Sequence, residues 1–388
     1  MNKECIEKKY CCGCGLCSYK VPGEFNEKGY YRPLSKDLRN HFETDLCYCN
    51  QLQNVVQDSF WGNYEHVYYG YSLDDSIRKK ASSGGILTEV ACYLLEKKFV
   101  DYVVQVKFSA DNPVETEVCF NRTSDEVKSC CGSRYSPSAS LYKLIENIDL
   151  NKKYAVIGKP CDMRVLRGFL NLHPEFQSSI LYLLSFFCGG TPSSQANQKL
   201  LQHMGLNKDS LSSFDYRGNG WPGKTMGTDG SGKSVSVEYE TSWGEILGRD
   251  LQDICRFCWE GVGEAADICC GDGWYLKNKK PNFEEADGRN VIFARSQKGD
   301  GLLKEMFVKN KIYLEEISDV QILKYMQPGQ YMRKAAMFSR TSAMKIMNKP
   351  VPKYRVSKII RYFNYLTPVH NFKMFGGTIK RILSGRIQ

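Results

Sequence analysis

The chain has 388 residues, of which 42% are hydrophobic and 12% aromatic, a composition typical of a globular protein with room for two or three domains. Its net charge of +10 is unevenly distributed. Residues 332–388 contain thirteen Lys and Arg and no Asp or Glu, so residues 1–331 carry a net charge of −3. This distribution disfavours nucleic acid as the main ligand and favours docking of the tail to an acidic partner or an anionic membrane surface.

The seventeen cysteines are the most unusual feature of the composition. The first residues, MNKECIEKKYCCGCG, lack the apolar segment of a signal peptide, and no run of about 18 apolar residues is present, so we expect a cytoplasmic protein. In a reducing compartment, many cysteines indicate metal or cluster ligation rather than disulfides. Cys92 and Cys119 are exceptions that we expect to be small apolar core residues.

Residues 1–60 are predicted to form a small iron–sulfur module, because they are rich in cysteine and lack long periodic segments. Cys11, Cys14 and Cys17 have the CxxCxxC spacing of a ferredoxin-type run. Where such a run continues with Cys-Pro, this chain has Val21-Pro22. Either a fourth thiolate comes from elsewhere, or the run is a relic.

An alternation of strands and helices follows from about residue 65 to residue 330. The apolar runs FVDYVVQVKF, KKYAVIG and SILYLLSFF are typical of buried strands. Helical spacing lies between them, in one apolar stripe over residues 86–95 and another over residues 165–170. The pattern predicts an α/β fold. Residues 207–300 are more irregular, with turns and short strands.

The loop KKASSGG, which includes Ser82 to Gly85, opens the first of these helices. Helix N-termini present free N–H groups, glycine allows close approach, and serine hydroxyls donate, so the loop suits a phosphate. An ordinary capped helix after a turn explains the same residues, and taken alone they favour that simpler interpretation.

A second set of cysteines lies farther along the chain. Cys161 and Cys188 each follow a predicted strand, and the carboxyl ends of strands in an open α/β sheet meet at one edge, where ligands bind. Cys255 and Cys258 form a CxxC pair that can face one metal centre. The four thiolates together are therefore predicted to hold a cluster.

Zinc is the main inorganic alternative. A zinc site built from Cys255, Cys258, Cys269 and Cys270 is disfavoured, because ADICCGD is predicted to be a strand, in which adjacent side chains point to opposite faces. The CxxCxxC run also favours iron–sulfur over zinc.

The basic tail, residues 331–388, contains one segment that is predicted to be an amphipathic helix. Val356, Ile359, Ile360 and Phe363 form its apolar face beside basic residues. Such a helix suits a membrane surface, and it suits equally a terminal helix packed on the body of the protein.

Eight motifs occur in the order seen in the coenzyme F420 hydrogenase/dehydrogenase beta-subunit family, which the chain resembles over roughly residues 65–300. They are ASSGGILTEVACYL, VDYVVQV, GSRYSPS, VIGKPCDMRVLR, FFCGGTPS, YRGNGWPG, CRFCWEGVGEAADICCGDGW and ARSQKG. The resemblance implies that residues 61–330 form a mixed-sheet core binding a flavin, usually FAD, and at least one [4Fe–4S] cluster. The N-terminal module and the basic helical tail flank this core.

The resemblance also implies site residues. Those that match the flavin contacts are Ser82, Ser83, Gly84, Gly85, Ser133, Arg134 and Tyr135. Those that match the cluster ligands are Cys161, Cys188, Cys255 and Cys258.

Family members often carry an N-terminal CxxCGxC segment, a GYxRP-like stretch and a later CPG triplet. In this chain they correspond to the Cys11 to Cys17 run, KGYYRP and LCYCN. Because Cys47-Tyr48-Cys49 replaces the triplet, the fourth N-terminal ligand is ambiguous, and alignment with the first position of the triplet favours Cys47. Cys12 is expected to take no part.

The resulting prediction is an iron–sulfur flavoprotein oxidoreductase that passes electrons between two [4Fe–4S] clusters and FAD. Lys159 is expected near the isoalloxazine ring, where it would stabilise a reduced anionic flavin. The N-terminal cluster would face a ferredoxin-like donor or acceptor, and the substrate would be a small organic molecule, with surface polysaccharide biosynthesis as one family association. The alternative is a non-catalytic adaptor, stabilised by a cluster or by zinc, that binds partners or a membrane through its tail.

Overall fold

The computed structural model describes residues 11–34, 60–351, 356–385 and 387. Its strands are β1 (Gly23–Phe25), β2 (Tyr31–Pro33), β3 (His66–Ser72), β4 (Tyr102–Phe108), β5 (Thr116–Asn121), β6 (Tyr154–Gly158), β7 (Ile180–Phe186), β8 (Leu211–Asp215), β9 (Thr225–Asp229), β10 (Ser234–Val237), β11 (Ile268–Asp272), β12 (Leu276–Lys277), β13 (Lys280–Pro281), β14 (Asn290–Ala294) and β15 (Ile312–Glu316).

The α-helices are α1 (Asp75–Lys80), α2 (Ile86–Glu96), α3 (Ser124–Ser129), α4 (Pro160–Leu172), α5 (Ser194–Met204), α6 (Asp253–Arg256), α7 (Gln297–Val308), α8 (Leu323–Met326), α9 (Pro328–Ala335), α10 (Met337–Ile346), α11 (Val356–Phe363) and α12 (Pro368–Leu383). Shorter helical turns cover Leu16–Tyr19, Ile145–Asn147, Pro174–Phe176, Lys208–Ser210, Glu240–Ile246, Leu247–Arg249 and Val320–Ile322.

An eight-stranded mixed sheet forms the centre of the described part of the chain, with the strand order β15-β3-β14-β11-β7-β6-β4-β5. Strands β4, β6, β7 and β11 are parallel, and antiparallel strands flank them on both sides. Strands buried on both faces read as continuous apolar runs. The three strands predicted from such runs are β4, β6 and β7, so the α/β prediction is confirmed.

Alternate residues of these strands enter different cores. Val103 packs with α2 and α7 on one face of the sheet, and its neighbour Val104 packs with α4 on the other. Cys269 and Cys270 on β11 divide in the same way, as predicted, and Cys92 is buried in the core of α2. A smaller sheet, β8 to β10, packs with α5 in a separate buried cluster.

The N-terminal segment, residues 11–34, packs on the central domain. Cys14 and Leu16 belong to the same buried core as Phe169 of α4. The backbone N–H of Leu141 also donates to the Cys14 carbonyl at 2.8 Å. This segment therefore shares an apolar core with α4, although its sequence lacks the long periodic segments that would have indicated one.

The basic tail also packs on the body. Met344 of α10 and Ile382 of α12 share a buried core with Phe257, which lies inside the CxxC pair. Lys334 of α9 forms a buried ion pair with Glu264. The predicted amphipathic helix, α11, packs on the body through Tyr362, whereas Ile360 and Phe363 of its predicted apolar face are exposed. Within the part of the chain that the structure describes, no helix is long and apolar enough to cross a membrane.

Asp74 caps helix α1, and its replacement provides a pH-dependent test of this fold. The carboxylate accepts the N–H groups of Ser76 (2.9 Å) and Ile77 (3.2 Å) and pairs with Lys128 (2.9 Å). Its hydrogen bonds with Ser76 and Lys128 hold the pKa of Asp74 well below its usual value. We expect Asp74→Ala to lower the free energy of unfolding by about 1 kcal/mol near pH 7.

The effect should fade on acidification. A carboxyl group with a lowered pKa binds fewer protons in the folded state, so its stabilisation is present above the unfolded pKa of about 4 and is lost as the pH falls below it. Denaturant unfolding of both proteins at about pH 7 and pH 3 measures this difference. An equal gap at both pH values would contradict the role assigned to the ionised cap.

Candidate functional site

Two of the predicted cysteine ligands lie at the carboxyl edge of the parallel strands. Strand β6 ends at Gly158 and α4 begins at Pro160, so Cys161 is the second residue of that helix. Proline suits the first helical position, and the Asp162 carboxylate accepts the Lys159 N–H at 2.9 Å, which fixes the helix start. Cys188 follows the end of β7 by two residues.

Three predicted ligands form what we call the loop thiol group: Cys188, Cys255 and Cys258. Their thiols lie within electrostatic reach of one another and of Arg333. The Thr191 N–H donates to the Cys255 Sγ at 3.4 Å. Burial raises the pKa of Cys255 to about 11 and that of Cys258 to about 12, so the free thiols stay protonated near neutral pH.

The N-terminal thiol group consists of Cys11, Cys12, Cys14 and Cys17. Cys12 hydrogen-bonds with the thiols of Cys14 and of Cys161, so it joins the N-terminal run to α4. The expectation that Cys12 is not a cluster ligand stays a prediction, although its thiol lies between those of Cys14 and Cys161. Cys47 and its alternative, Cys49, lie outside the described residues.

Hydrogen bonds join the two thiol groups. The Gln252 side chain, next to α6, donates to the Cys11 carbonyl at 2.7 Å. The Tyr30 hydroxyl donates to the carbonyl of Thr191, whose N–H reaches Cys255. Within the described ranges, no three His, Cys, Asp or Glu side chains are arranged as a closed metal site. The described contacts of Cys161 are thus with Cys12 of the N-terminal thiol group, whereas those of Cys255 and Cys258 are with Cys188 and Arg333.

Positively charged side chains of the tail lie beside the loop thiol group, and no sequence motif indicated this. The Arg333 guanidinium donates to the carbonyls of Cys188 (2.9 Å) and Gly189. Burial lowers the pKa of Arg340 to about 10, and its neighbours Arg333 and Arg381 add to this effect. The absence of Asp and Glu from the last 57 residues was the only sequence signal for this electropositive cover.

Lys159 is buried at the same place. Its ammonium group donates to the Ser138 carbonyl (2.7 Å), contacts the Ser140 hydroxyl and pairs with Asp162 at 2.9 Å. Burial lowers the pKa of Lys159, but Asp162, Cys161 and Cys12 together outweigh this effect and the pKa is raised. The amine is therefore charged, and its neighbours include Cys161 and Cys12.

The Ser82 to Gly85 loop is held by surrounding loops. The Ser82 hydroxyl accepts the Ser133 N–H at 2.7 Å and faces the Arg217 carbonyl, and the Ser83 hydroxyl donates to the Arg289 carbonyl. The side-chain oxygen of Asn290 accepts the Ile86 N–H at the start of α2. The serine hydroxyls thus contact protein, which leaves backbone N–H groups as the loop's means of holding a phosphate.

Gly84 provides a test of this close packing. A Cβ there would lie 2.7 Å from the Gly70 oxygen and from the Asn290 nitrogen, both backbone atoms that cannot move aside easily. We expect Gly84→Ala to lower the free energy of unfolding by about 1–3 kcal/mol. The matched control is Gly301→Ala within α7, where a Cβ meets nothing within 4 Å and the higher helix propensity of alanine should stabilise the protein. Denaturant unfolding distinguishes them, and equal effects of the two changes would contradict the assigned packing.

The predicted flavin contacts at residues 133–135 lie beside this loop. The Arg134 guanidinium stacks on Phe108 at 3.7 Å and donates to the carbonyls of Ser133 and Cys130, but its Nε is buried without a partner. The Tyr135 ring packs against Trp243, with ring centroids 4.7 Å apart. The Arg134 Nε is thus an unpaired buried donor at this end of the site.

Arg217 and Asp272 connect the remaining loops. The guanidinium makes two 3.1 Å hydrogen bonds with the carboxylate and also donates to Tyr135 at 3.5 Å. The Trp221 indole donates to Asp272 at 2.9 Å and stacks on Trp274 with the ring planes 9° apart. The motifs YRGNGWPG and CGDGW, which are far apart in sequence, are joined by this ion pair. No spacing in the sequence indicates that Arg217 and Asp272 are partners.

Comparison with known proteins identifies the same region. Residues 67–146 match the family model described as coenzyme F420 hydrogenase/dehydrogenase, beta subunit N-term, and residues 151–320 match the corresponding C-terminus model. The chain is 24% identical over 266 residues to a coenzyme F420 hydrogenase subunit beta of Methanococcus voltae, covering 67% of this chain and 88% of that protein.

The chain spans only about half to three fifths of the length of two other relatives. An F420-dependent formate dehydrogenase subunit beta of Methanocaldococcus jannaschii is 27% identical over 60% of this chain and 59% of its own length. A coenzyme F420-dependent sulfite reductase of the same organism is 23% identical, over 83% of this chain but 50% of its own length.

A solved structure shares the fold. A chain of the F420-reducing [NiFe] hydrogenase complex from Methanosarcina barkeri superposes with a TM-score of 0.58 at 20% identity, covering 77% of this chain and 99% of that one. The two family models together match well over half of the sequence, in the order of the motifs. The chain therefore belongs to the coenzyme F420 hydrogenase/dehydrogenase beta-subunit family.

Proposed function

We propose that this protein is an iron–sulfur flavoprotein oxidoreductase. The observation that carries the proposal is that the N-terminal thiol group lies against two other candidate ligand segments: Cys12 contacts Cys161 at the start of α4, and Gln252, three residues before Cys255, donates to the Cys11 carbonyl. The relatives named as F420 hydrogenase, formate dehydrogenase and sulfite reductase subunits support an oxidoreductase role. When bound, the cofactors would supply one-electron transfer at the clusters and two-electron chemistry at the flavin.

The donor chemistry of both thiol groups fits iron–sulfur clusters. We assign Cys161, Cys188, Cys255 and Cys258 to one cluster and Cys11, Cys14, Cys17 and Cys47 to the other. In the first set, the Thr191 N–H and Arg333 supply hydrogen bonding and positive charge where thiolates would carry negative charge. Cys12 sits between the sets as an additional thiol.

The proposed FAD site uses the loops at the other side of Lys159. The unpaired Nε of Arg134 fits a phosphate oxygen. A buried guanidinium N–H without a partner is unfavourable, and an anionic oxygen would accept its hydrogen bond. Residues 82–85 would contribute backbone N–H groups, Ser133 would hold the loop to Ser82, and Tyr135 would offer a ring face. Lys159 would keep a positive charge between this site and the thiol groups.

The partners follow from this arrangement. A small organic molecule would be the substrate, and a ferredoxin-like protein would exchange electrons at the N-terminal thiol group. We also propose that the reaction serves surface polysaccharide biosynthesis.

The outer face of α12 would contact an anionic membrane. Phe372 and Val369 on this helix are 76% and 62% exposed, and Lys373 lies beside them. Flotation with vesicles of anionic or of neutral lipid tests this contact. Binding to neither kind would contradict it.

The test of the function is anaerobic purification of the full chain, followed by a visible spectrum and analysis of iron, zinc and released flavin. A brown protein with FAD and about eight irons, four for each [4Fe–4S] cluster, is expected. A colourless zinc protein without flavin would contradict the oxidoreductase and favour the adaptor.

A further inference from the structure

Two cysteines outside both thiol groups lie at the edge of the central sheet. Cys119 is on β5, the terminal strand of the sheet, and Cys130 directly follows α3. Their Sγ atoms are 3.7 Å apart. The S–S bond of a disulfide is about 2 Å long, so a relative shift of less than about 2 Å between the two sulfurs is enough to join them. Cys119 was expected to be a core residue, but it is only partly buried and has a second thiol beside it.

The surroundings activate one of the two thiols. The Cys130 Sγ contacts the Cys119 thiol, and the Asn121 amide donates to it at 3.6 Å. These two contacts, with Ser129 and the positive charge of Arg134, hold the pKa of Cys130 below its usual value. A thiolate is the nucleophilic form of cysteine. Cys130 therefore has the character of an attacking thiolate, and Cys119 is placed to resolve the product.

We propose that Cys119 and Cys130 are a modification site, a dithiol that a peroxide oxidises to an intramolecular disulfide. The Cys130 thiolate attacks one peroxide oxygen, the O–O bond breaks, and with one proton taken up the products are a sulfenic acid and water. The Cys119 thiol then attacks the Cys130 sulfur, and a second water leaves as the S–S bond forms. Overall, two thiols lose two electrons and two protons, and one hydrogen peroxide is reduced to two waters.

The disulfide acts on a loop that already connects to the candidate site. The Arg134 guanidinium donates to the Cys130 carbonyl, and the neighbouring Ser133 N–H donates to Ser82. Oxidation would tie the start of this loop to β5. The dithiol itself depends only on the two sulfurs and their neighbours, so it stands independently of the proposed cofactors.

Peptide mapping of the full chain tests the proposal. The protein is purified anaerobically, treated with one equivalent of hydrogen peroxide, alkylated and digested with trypsin, which separates residues 108–122 from residues 129–134. We expect these two peptides to appear as one disulfide-linked species that dithiothreitol separates, with a mass about 2 Da below their sum. Recovery of both peptides unlinked and alkylated, while peroxide is consumed, would overturn the proposal.

Adjacent cysteines provide the matched variants. Cys131 is in the same peptide as Cys130 but contacts the Thr88 hydroxyl, so Cys131→Ser should leave the linked species unchanged. Cys130→Ser should abolish it. If the linked species persists in Cys130→Ser and disappears in Cys131→Ser, the disulfide joins Cys119 to Cys131, and the proposed pairing with Cys130 is overturned. The wild-type map remains decisive if a variant does not fold.

Discussion

Replacing Cys258 by serine is expected to remove about half of the iron, that is, about four of about eight atoms per chain, because the cluster assigned to Cys161 and the loop thiol group would lose one of its four proposed ligands. Cys258 is buried and close to Cys255, Cys188 and Arg333. A serine hydroxyl binds iron less well than a thiolate, and the positive charge from Arg333 would then lack its negative counterpart. Iron analysis of protein purified without oxygen measures the loss.

Two further variants make this prediction specific. Cys11→Ser should remove the other half of the iron, since it belongs to the N-terminal thiol group. Cys131→Ser, a thiol outside both groups, should leave the iron unchanged. A full iron content in Cys258→Ser would contradict the assignment of the loop thiol group, and complete loss in either variant would indicate that the two groups hold one shared centre.

Removing the Asp272 carboxylate is expected to destabilise the protein by roughly 3–5 kcal/mol, since it would leave the Arg217 guanidinium buried without its charge partner. Arg217 is only 3% exposed, and it makes two hydrogen bonds with Asp272. Asp272→Ala also removes the acceptor of the Trp221 indole. Denaturant unfolding measures the effect, and we expect the same variant to bind FAD less tightly because Arg217 also holds Tyr135.

A surface ion pair provides the control. Lys277 and Glu284 are 3.1 Å apart, but both side chains are 69% exposed, so Glu284→Ala should change the free energy of unfolding by less than about 1 kcal/mol. If Asp272→Ala and Glu284→Ala have similar effects, the ion pair that joins the two motifs does not have the structural importance assigned to it.

The central sheet was predictable because its parallel strands are buried on both faces. Strands that are buried on both faces have continuous apolar sequences, as β4, β6 and β7 do. The two faces of β11 were predictable for a related reason, since adjacent strand residues must point in opposite directions. Both inferences depend on local geometry, which a short stretch of sequence determines.

The electrostatic partners were not predictable in this way. Arg217 meets Asp272 across 55 residues, and Arg333 meets the Cys188 backbone across 145. Such pairs depend on where whole loops and helices pack, and no local periodicity encodes them. The position of Cys12 between Cys14 and Cys161 is of the same kind, because spacing alone cannot tell which of four nearby thiols faces another element.

Lys159 shows how far the sequence alone could predict the candidate site. Its place at the end of β6 followed from the strand pattern. Its three bonding partners, Ser138, Ser140 and Asp162, come from two segments and decide that the ammonium group is buried and charged. The sequence thus located this residue, whereas its environment required the assembled fold.

The most direct test of the account is whether electrons entering at the thiol groups reach the flavin. Wild-type protein and Cys258→Ser, both purified anaerobically with FAD, are mixed with a reduced ferredoxin, and the flavin absorbance is followed over time. We expect the flavin to be bleached in the wild type and far more slowly in the variant, although dithionite reduces both. Equal bleaching by ferredoxin in the two proteins, or the absence of any flavin in the wild type, would contradict it.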